Sequence, residues 1–210
     1  MATEAVFMDA LGTVVELEPP WPQLAAALGI AADERVVAAV RAEMDYYRDH
    51  AHEGTDEQAL AELRERCAAL LSAELGREVS VEQMMSSIRF RAYPDAPPAL
   101  AALRARGLGL ACVSNWDVSL PQVLERCGLG AAFDAVVTSA GSGSRKPAPA
   151  IFERALELCR CAPEAALHIG DSAAEDAAGA AAAGIRCLLI DRDGGADIRS
   201  LAEVADRLDR

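Results

Sequence analysis

Lysine is nearly missing from this sequence. Of its 20 basic residues, 19 are arginines, and Lys146 is the one exception. No basic block occurs, and the formal net charge is −13. Such a surface repels nucleic acid and anionic membrane, so neither is an expected partner. An anion could bind only where positive charge is supplied locally. Also missing is any apolar run of bilayer length; the alanine-rich "AAGAAAAG" (177–184) is far too short. No signal-peptide pattern precedes the first apolar segment. The six cysteines contain no CxxC pair, and Cys159 and Cys161, two apart, suit neither a redox pair nor a zinc finger. The expectation is reduced thiols in a cytoplasmic protein.

What is present is a globular chain. Hydrophobic residues make up 52% of 210, enough for one sizeable core plus a small inserted unit. An apolar run predicts a buried strand over 5–10. From 22 to 92 the spacing turns helical, with Asp33 and Asp56 suited to helix N-termini. From 16 to 91 there are 15 acids against 8 arginines. The Pro-rich "YPDAPPAL" (93–100) marks a boundary. Beyond it strands (108–114, 133–139, one held within 164–172, and 185–192) alternate with helices, the last of them over 197–208. "AGSGSRKP" (140–147) reads as a flexible loop.

This alternation argues an α/β fold, a doubly wound parallel sheet covered on both faces. Residues 1–15 and 93–210 form its core, and 16–92 form a helical cap inserted after the first strand.

In such a sheet chemistry gathers beyond the C-terminal strand ends. Four polar groups fall there: Asp9 with Thr13, Ser114 with Asn115, Lys146, and Asp171 with Asp176. A carboxylate such as Asp9 can act as a nucleophile. Asp9 and Asp171 together suit Mg²⁺, a hard cation that prefers oxygen ligands. Lys146 supplies compact positive charge, while Thr13, Ser114 and the amides that follow it suit phosphate oxygens. Each group alone has a plainer reading as a cap or turn residue. Their order, each at a strand end, is what carries the argument. Trp116 and Asp117 are placed to wall the pocket, and His168 reads as structural.

The pieces "DALGT" (9–13), "SNW" (114–116), "RKPAPAIF" (145–152) and "HIGDSAAEDAAGA" (168–180) resemble the haloacid dehalogenase-like hydrolase superfamily, and the inserted helices resemble the small helical cap of its first subfamily. The resemblance implies a Rossmann-like core and a set of roles. Asp9 is the nucleophile, Thr13 and Ser114 bind phosphate, and Asn115 orients the group. Lys146 steadies the nucleophile, and Asp171 holds the metal with Asp176 beside it. The backbone carbonyl of Leu11 completes the set of Mg²⁺ ligands.

Leu11 is the departure. Phosphatases of this family usually carry a second Asp there, which protonates the leaving group and later activates water. General acid–base help of that kind is typically worth about 10²–10⁴ in rate. Its absence admits a metal-free 2-haloacid dehalogenase, because halide leaves without a proton. Arg41, with Tyr46 and Tyr47 nearby, is then the candidate cap arginine for the substrate. Against this stands Asp171, which such enzymes usually lack and which burdens a metal-free site with like charge. A phosphonate hydrolase using a cap lysine is disfavoured, because the cap has no lysine. A third possibility is a catalytically reduced binding protein on the same fold. For a substitute acid the cap region offers Glu16, Glu18, Asp45 and Asp49, most of them expected at a solvated surface; His50 and His52 fit an exposed turn. The favoured expectation is a Mg²⁺-dependent phosphatase of a small anionic metabolite, as a monomer or homodimer.

Overall fold

The computed structural model describes residues 2–208. Its centre is a five-stranded sheet built from β1 (Ala5–Met8), β4 (Gly109–Ser114), β5 (Ala135–Thr138), β6 (Ala166–Gly170) and β7 (Arg186–Leu189), in the order β5-β4-β1-β6-β7. All four pairings are parallel. The strand order reverses direction at β1, so the crevice beyond its C-terminal end is where a ligand of such a sheet belongs.

Alternation along β1 divides the core. Val6 and Met8 face one layer, with Leu100 and Leu103 of α5 (Ala96–Ala105) and Leu120 and Leu124 of α6 (Leu120–Arg126). Ala5 and Phe7 face the other, with Ile151, Phe152 and Ala155 of α8 (Pro149–Cys159) and Ala180 of α9 (Ala178–Ala182). This is the period-2 geometry of a strand buried on both faces.

Four α-helices form within residues 16–92: α1 (Pro20–Leu28), α2 (Glu34–His50), α3 (Glu57–Leu75) and α4 (Val81–Ser87). Asp33 and Asp56 do cap α2 and α3, accepting from Val36 N at 3.1 Å and Ala59 N at 2.9 Å. Left-handed Gly29 and Gly76 end α1 and α3. The helices bury their own apolar cluster, including Leu24, Val40, Leu63 and Leu71. Truncating a fully buried leucine such as Leu63 to alanine costs about 2–5 kcal/mol in comparable cores.

Several elements differ from expectation. The inserted segment is not helical throughout. Its two chain crossings pair as antiparallel β2 (Val15–Leu17) and β3 (Phe90–Ala92), with Glu16 and Arg91 bridged at 2.9 Å. Phe90 therefore lies in a strand rather than a helix. The loop expected at 140–147 begins as a one-turn helix, α7 (Ser139–Ser142), because the Thr138 hydroxyl accepts from Gly141 N at 3.0 Å. The helix after β6 opens wide over Ala173–Ala177, where the Ser172 carbonyl accepts from both Asp176 N (2.8 Å) and Ala177 N (3.2 Å). The final helix shrinks to a 3₁₀ segment, Leu201–Asp206, since Ile198 is still engaged with Leu189 O at 3.1 Å. No helix among the described residues is long and apolar enough to cross a membrane.

Candidate active site

Asp9 extends β1 by one residue, its amide donating to Ile169 O at 2.8 Å. The chain then turns sharply, and the Ala10 carbonyl accepts from Thr13, Val14 and Val15 amides at 3.3, 2.9 and 2.9 Å. Gly12 makes the turn at φ 82°, and a Cβ there would overlap the Asp171 carboxylate. Glycine thus serves twice, through its positive φ and by admitting Asp171. At β6, Gly170 admits Asp176 in the same way.

Lys146, 2% exposed, is the hub. Its Nζ donates to Asp9 Oδ1 and to Asp176 Oδ1, each at 2.6 Å. Burial would push the ammonium pKa down, but Asp9 and Asp176 reverse that and hold it above the usual lysine value. Asn115 grips the same residue through its backbone: Lys146 N donates to Asn115 Oδ1 at 2.7 Å, and Asn115 Nδ2 donates to Lys146 O at 3.1 Å. Asn115 is the chain's single asparagine, a signal as plain as the single lysine. It touches the lysine's main chain, so it orients by holding backbone.

Asp176 is fully engaged. Oδ1 accepts from Lys146 and from His168 Nε2 at 2.8 Å, and Oδ2 from Ser172 N at 3.0 Å. Burial would raise its pKa, yet His168 and Lys146 pull it well below the usual carboxylate range. Burial holds His168 below its ordinary pKa, which keeps the ring neutral with its Nε2 proton on Asp176. The Phe152 ring meets that imidazole edge-on at 4.9 Å. His168 is structural in the sense that it fixes the acid which fixes Lys146.

Asp171 has no such satisfaction. Among the described residues it forms no ion pair, and burial, followed by the charges of Asp9 and Asp176, pushes its pKa up to about 6. One carboxylate oxygen from each of Asp9, Asp171 and Asp176 lies within 4.8 Å of the others. Three acids so close with one ammonium between two of them form a site that favours a divalent cation. Asp9 and Asp171 are the carboxylates with capacity to spare for it, while the oxygens of Asp176 are already occupied by protein donors. Among the described residues none donates to the Leu11 carbonyl, which stays available as a ligand.

Ser114 ends β4, 3% exposed and in register with Thr138. The Thr13 hydroxyl is buried and has no hydrogen-bond partner among the described residues. Such a group costs about 1–3 kcal/mol unless a ligand meets it. Arg41 is exposed on α2, and among the described residues it has no hydrogen bond or ion pair that would bring it into this cluster. Trp116 packs in the core, its ring 5.1 Å from Phe90, because its carbonyl is held by Ser139 Oγ and Ala140 N. Asp117, beside it, reaches the inserted helices: Tyr47 Oη donates to Asp117 Oδ2 at 2.6 Å, and Val118 N donates to Gly54 O at 3.1 Å. Of the exposed-turn histidines, His50 instead stacks on Tyr46 at 4.0 Å.

A cavity of about 390 Å³ opens beside the cluster, lined by Gly12, Asp171, Tyr93 and Arg192 among others. A larger hollow, about 640 Å³, lies out on the inserted helices around the Glu53–Arg66 ion pair, away from these groups.

The chain is similar in sequence and fold to known proteins. A model of the haloacid dehalogenase-like hydrolases matches residues 3–184. Phosphoserine phosphatase of Thermus thermophilus is 37% identical over 120 residues, which is 57% of this chain and 48% of that enzyme. The chain matches between 38% and 48% of the length of its curated relatives. A HAD phosphatase structure from Thermococcus onnurineus superposes with TM-score 0.70 at 25% identity, covering 99% of this chain and 98% of that one. L-2-haloacid dehalogenase from Xanthobacter autotrophicus also gives 0.70, at 24% identity over 90% of this chain and 78% of that one, a likeness of fold. With the family model spanning most of its length and the acid–lysine cluster at the sheet's switch point, the chain belongs to the haloacid dehalogenase-like hydrolases.

Proposed function

We propose that this hydrolase is a Mg²⁺-dependent phosphatase of small phosphorylated metabolites that works through an aspartyl-phosphate at Asp9. The observation that carries the reading is Asp171, a third acid packed against Asp9 and Asp176 with no cation of its own. A metal-free dehalogenase gains nothing from that repulsion, whereas Asp9, Asp171 and the Leu11 carbonyl suit Mg²⁺. When bound, the ion offsets the negative charge of site and substrate and supports charge developing on the phosphoryl oxygens.

The chain's own groups do the rest. Asp9 Oδ1 is held by Lys146, which leaves Oδ2 to attack phosphorus. The P–O bond breaks, the phosphoryl group passes to Asp9, and the leaving oxygen departs with the bond's electron pair and takes its proton from water. Water then cleaves the acyl phosphate, releasing phosphate and restoring the carboxylate. Thr13 and Ser114 meet phosphoryl oxygens, and Lys146 balances charge in both steps. Residues 16–92 act as a cap that excludes bulk water and selects small substrates. The site is assembled from one chain, so monomer and homodimer both serve. Six free thiols fit a reducing cytoplasm.

The test is phosphate release from an activated aryl phosphate with and without Mg²⁺. Metal-dependent release is expected. Halide release from 2-chloropropionate without metal would replace the reading with the dehalogenase one, which Leu11 favours.

Two expectations follow from particular residues. Leu11 is 38% exposed, so Leu11→Asp places an acid at an accessible position without emptying the core. Turnover of an unactivated alkyl phosphate should rise by about 10²-fold. An unchanged rate would show that another group already donates the proton.

The second expectation concerns pH. Asp171 titrates near 6 in the fold, against an ordinary value of 3.8. A raised carboxyl pKa weakens the metal-free fold as pH climbs from about 4 through 6. Saturating Mg²⁺ removes that repulsion, so its stabilising shift in Tm should be larger at pH 8 than at pH 5. Calorimetry at both values checks it; equal shifts would speak against Asp171 as a ligand.

A further inference from the structure

Arg192 follows β7 and lies 179 positions from Thr13 along the chain. Its side chain is 24% exposed and engages three groups at once. Nη2 donates to the Thr13 carbonyl at 2.8 Å. Nη1 donates to Asp95 Oδ1 and Oδ2 at 3.1 and 3.0 Å. The guanidinium carbon sits 3.5 Å from the centroid of the Tyr93 ring. Asp95 is itself held by Ser200 Oγ at 2.7 Å and Leu201 N at 2.9 Å, and Tyr93 N donates to Val14 O at 3.1 Å.

These partners have a common place in the chain. Thr13 and Val14 immediately precede β2, the outgoing crossing to the inserted helices. Tyr93 and Asp95 immediately follow β3, the returning one. One guanidinium from the segment after the last strand therefore ties the base of both crossings to the core. The β2–β3 ribbon joins the inserted helices directly to the Thr13–Val14 peptide. Thr13 carries a buried hydroxyl that has no partner among the described residues. Its own amide makes the longest of the three bonds to Ala10 O, 3.3 Å, so the local turn holds it weakly.

We propose that Arg192 is a positioning residue that clamps the base of both cap crossings and, through the Thr13 carbonyl, keeps the Thr13 hydroxyl at the anion site. The proposal rests on the reading that Thr13 takes an anion. The planar fork of arginine can serve Thr13 and Asp95 in two directions while stacking on Tyr93; a lysine ammonium at the same place reaches one partner and does not stack. A purely structural Arg192 would act only through its ion pair with Asp95, which fastens the C-terminal segment to α5.

Arg192→Lys separates the two, since it can keep the ion pair and loses the second arm. Arg192→Gln removes both. Each is made in the full chain, alone and with Thr13→Val. The measurements are hydrogen exchange at residues 13–17 and 90–95, binding of inorganic phosphate in the presence of Mg²⁺, and KM and kcat for an aryl phosphate. Both Arg192 variants should raise the phosphate Kd and KM roughly tenfold with a smaller change in kcat, and speed exchange at both crossings while β1 and β6 stay protected. In the Thr13→Val background the Arg192 change should add little, as expected for groups acting through one another. Wild-type exchange at the crossings in Arg192→Lys overturns the clamp, as do losses that multiply in the double variant. A wild-type protein that neither binds phosphate nor hydrolyses the ester defeats the phosphatase reading instead, and exchange still decides the clamp. Should Arg192→Gln not fold, Arg192→Lys carries the same test.

Discussion

Asp9→Asn is expected to leave a folded protein whose phosphate release falls by at least about 10³-fold, the scale seen when a covalent nucleophile is removed. The asparagine carbonyl can still accept from Lys146, whose Nζ sits 2.6 Å from Asp9 Oδ1, so the hub keeps its shape. What is lost is the negative oxygen that, in the proposed mechanism, attacks phosphorus. Relief of charge beside Asp171 should also lower that residue's pKa toward its ordinary value, because Asp9 is a named contributor to the upward shift after burial. Steady-state assays give the rate and denaturant melts confirm the fold. Residual activity within tenfold of wild type would mean that Asp9 is not the nucleophile.

Lys146→Met acts on stability as much as on turnover. The side chain is buried and compensates two acids that are themselves 6% and 1% exposed. Removing one partner of a buried ion pair typically costs about 3–5 kcal/mol, because the remaining charges stay buried without a counter-ion. For a chain of this size that is a fall in Tm of roughly 6–20 °C. The pH dependence fixes the cause. With Lys146 present, Asp176 has a depressed pKa, and the stability it brings holds above the ordinary value of 3.8 and is lost as pH falls through the depressed one. Without Lys146 the acids gain by protonating, so the deficit of the variant should shrink from pH 8 to pH 5. Mg²⁺ should restore part of it, since a cation at Asp9 and Asp171 replaces some of the missing charge. A deficit that does not vary with pH would point to lost packing alone. Activity should be absent at either pH.

The two variants probe different functions of one hub. In the proposed mechanism Asp9 supplies the reacting oxygen, while Lys146 makes it possible for that oxygen to sit beside two other acids. His168 and Asn115 support the lysine from opposite directions, one through Asp176 and one through its main chain. Neither is expected to touch substrate.

Much of this was legible in the residues. Period-2 and helical spacing located the strands and the inserted helices, because burial on a strand or helix face imposes a repeat that local sequence must obey. Asp33 and Asp56 announced helix starts, and each does cap one. Strand ends placed Asp9, Ser114 and Asp171 together, since parallel strands share one C-terminal rim. The lone lysine pointed to Lys146. The β2–β3 ribbon was missed because three-residue strands carry too little pattern, and Phe90 continued a helical spacing that pairing with Leu17 overrode. The widened turn at Ala173–Ala177 was missed because alanine-rich sequence is equally content in either spacing.

The sequence alone therefore determined the strand-and-helix layout, the acidic rim and the lack of an acid at Leu11, all of which depend on near neighbours and on composition. Only the folded chain decided that Asp176 turns toward Lys146 and His168, that Tyr47 reaches Asp117, and that Arg192 binds the Thr13 carbonyl. Those choices join residues separated by 30, 70 and 179 positions. They depend on strand register and loop path, and no local spacing encodes where two distant side chains meet.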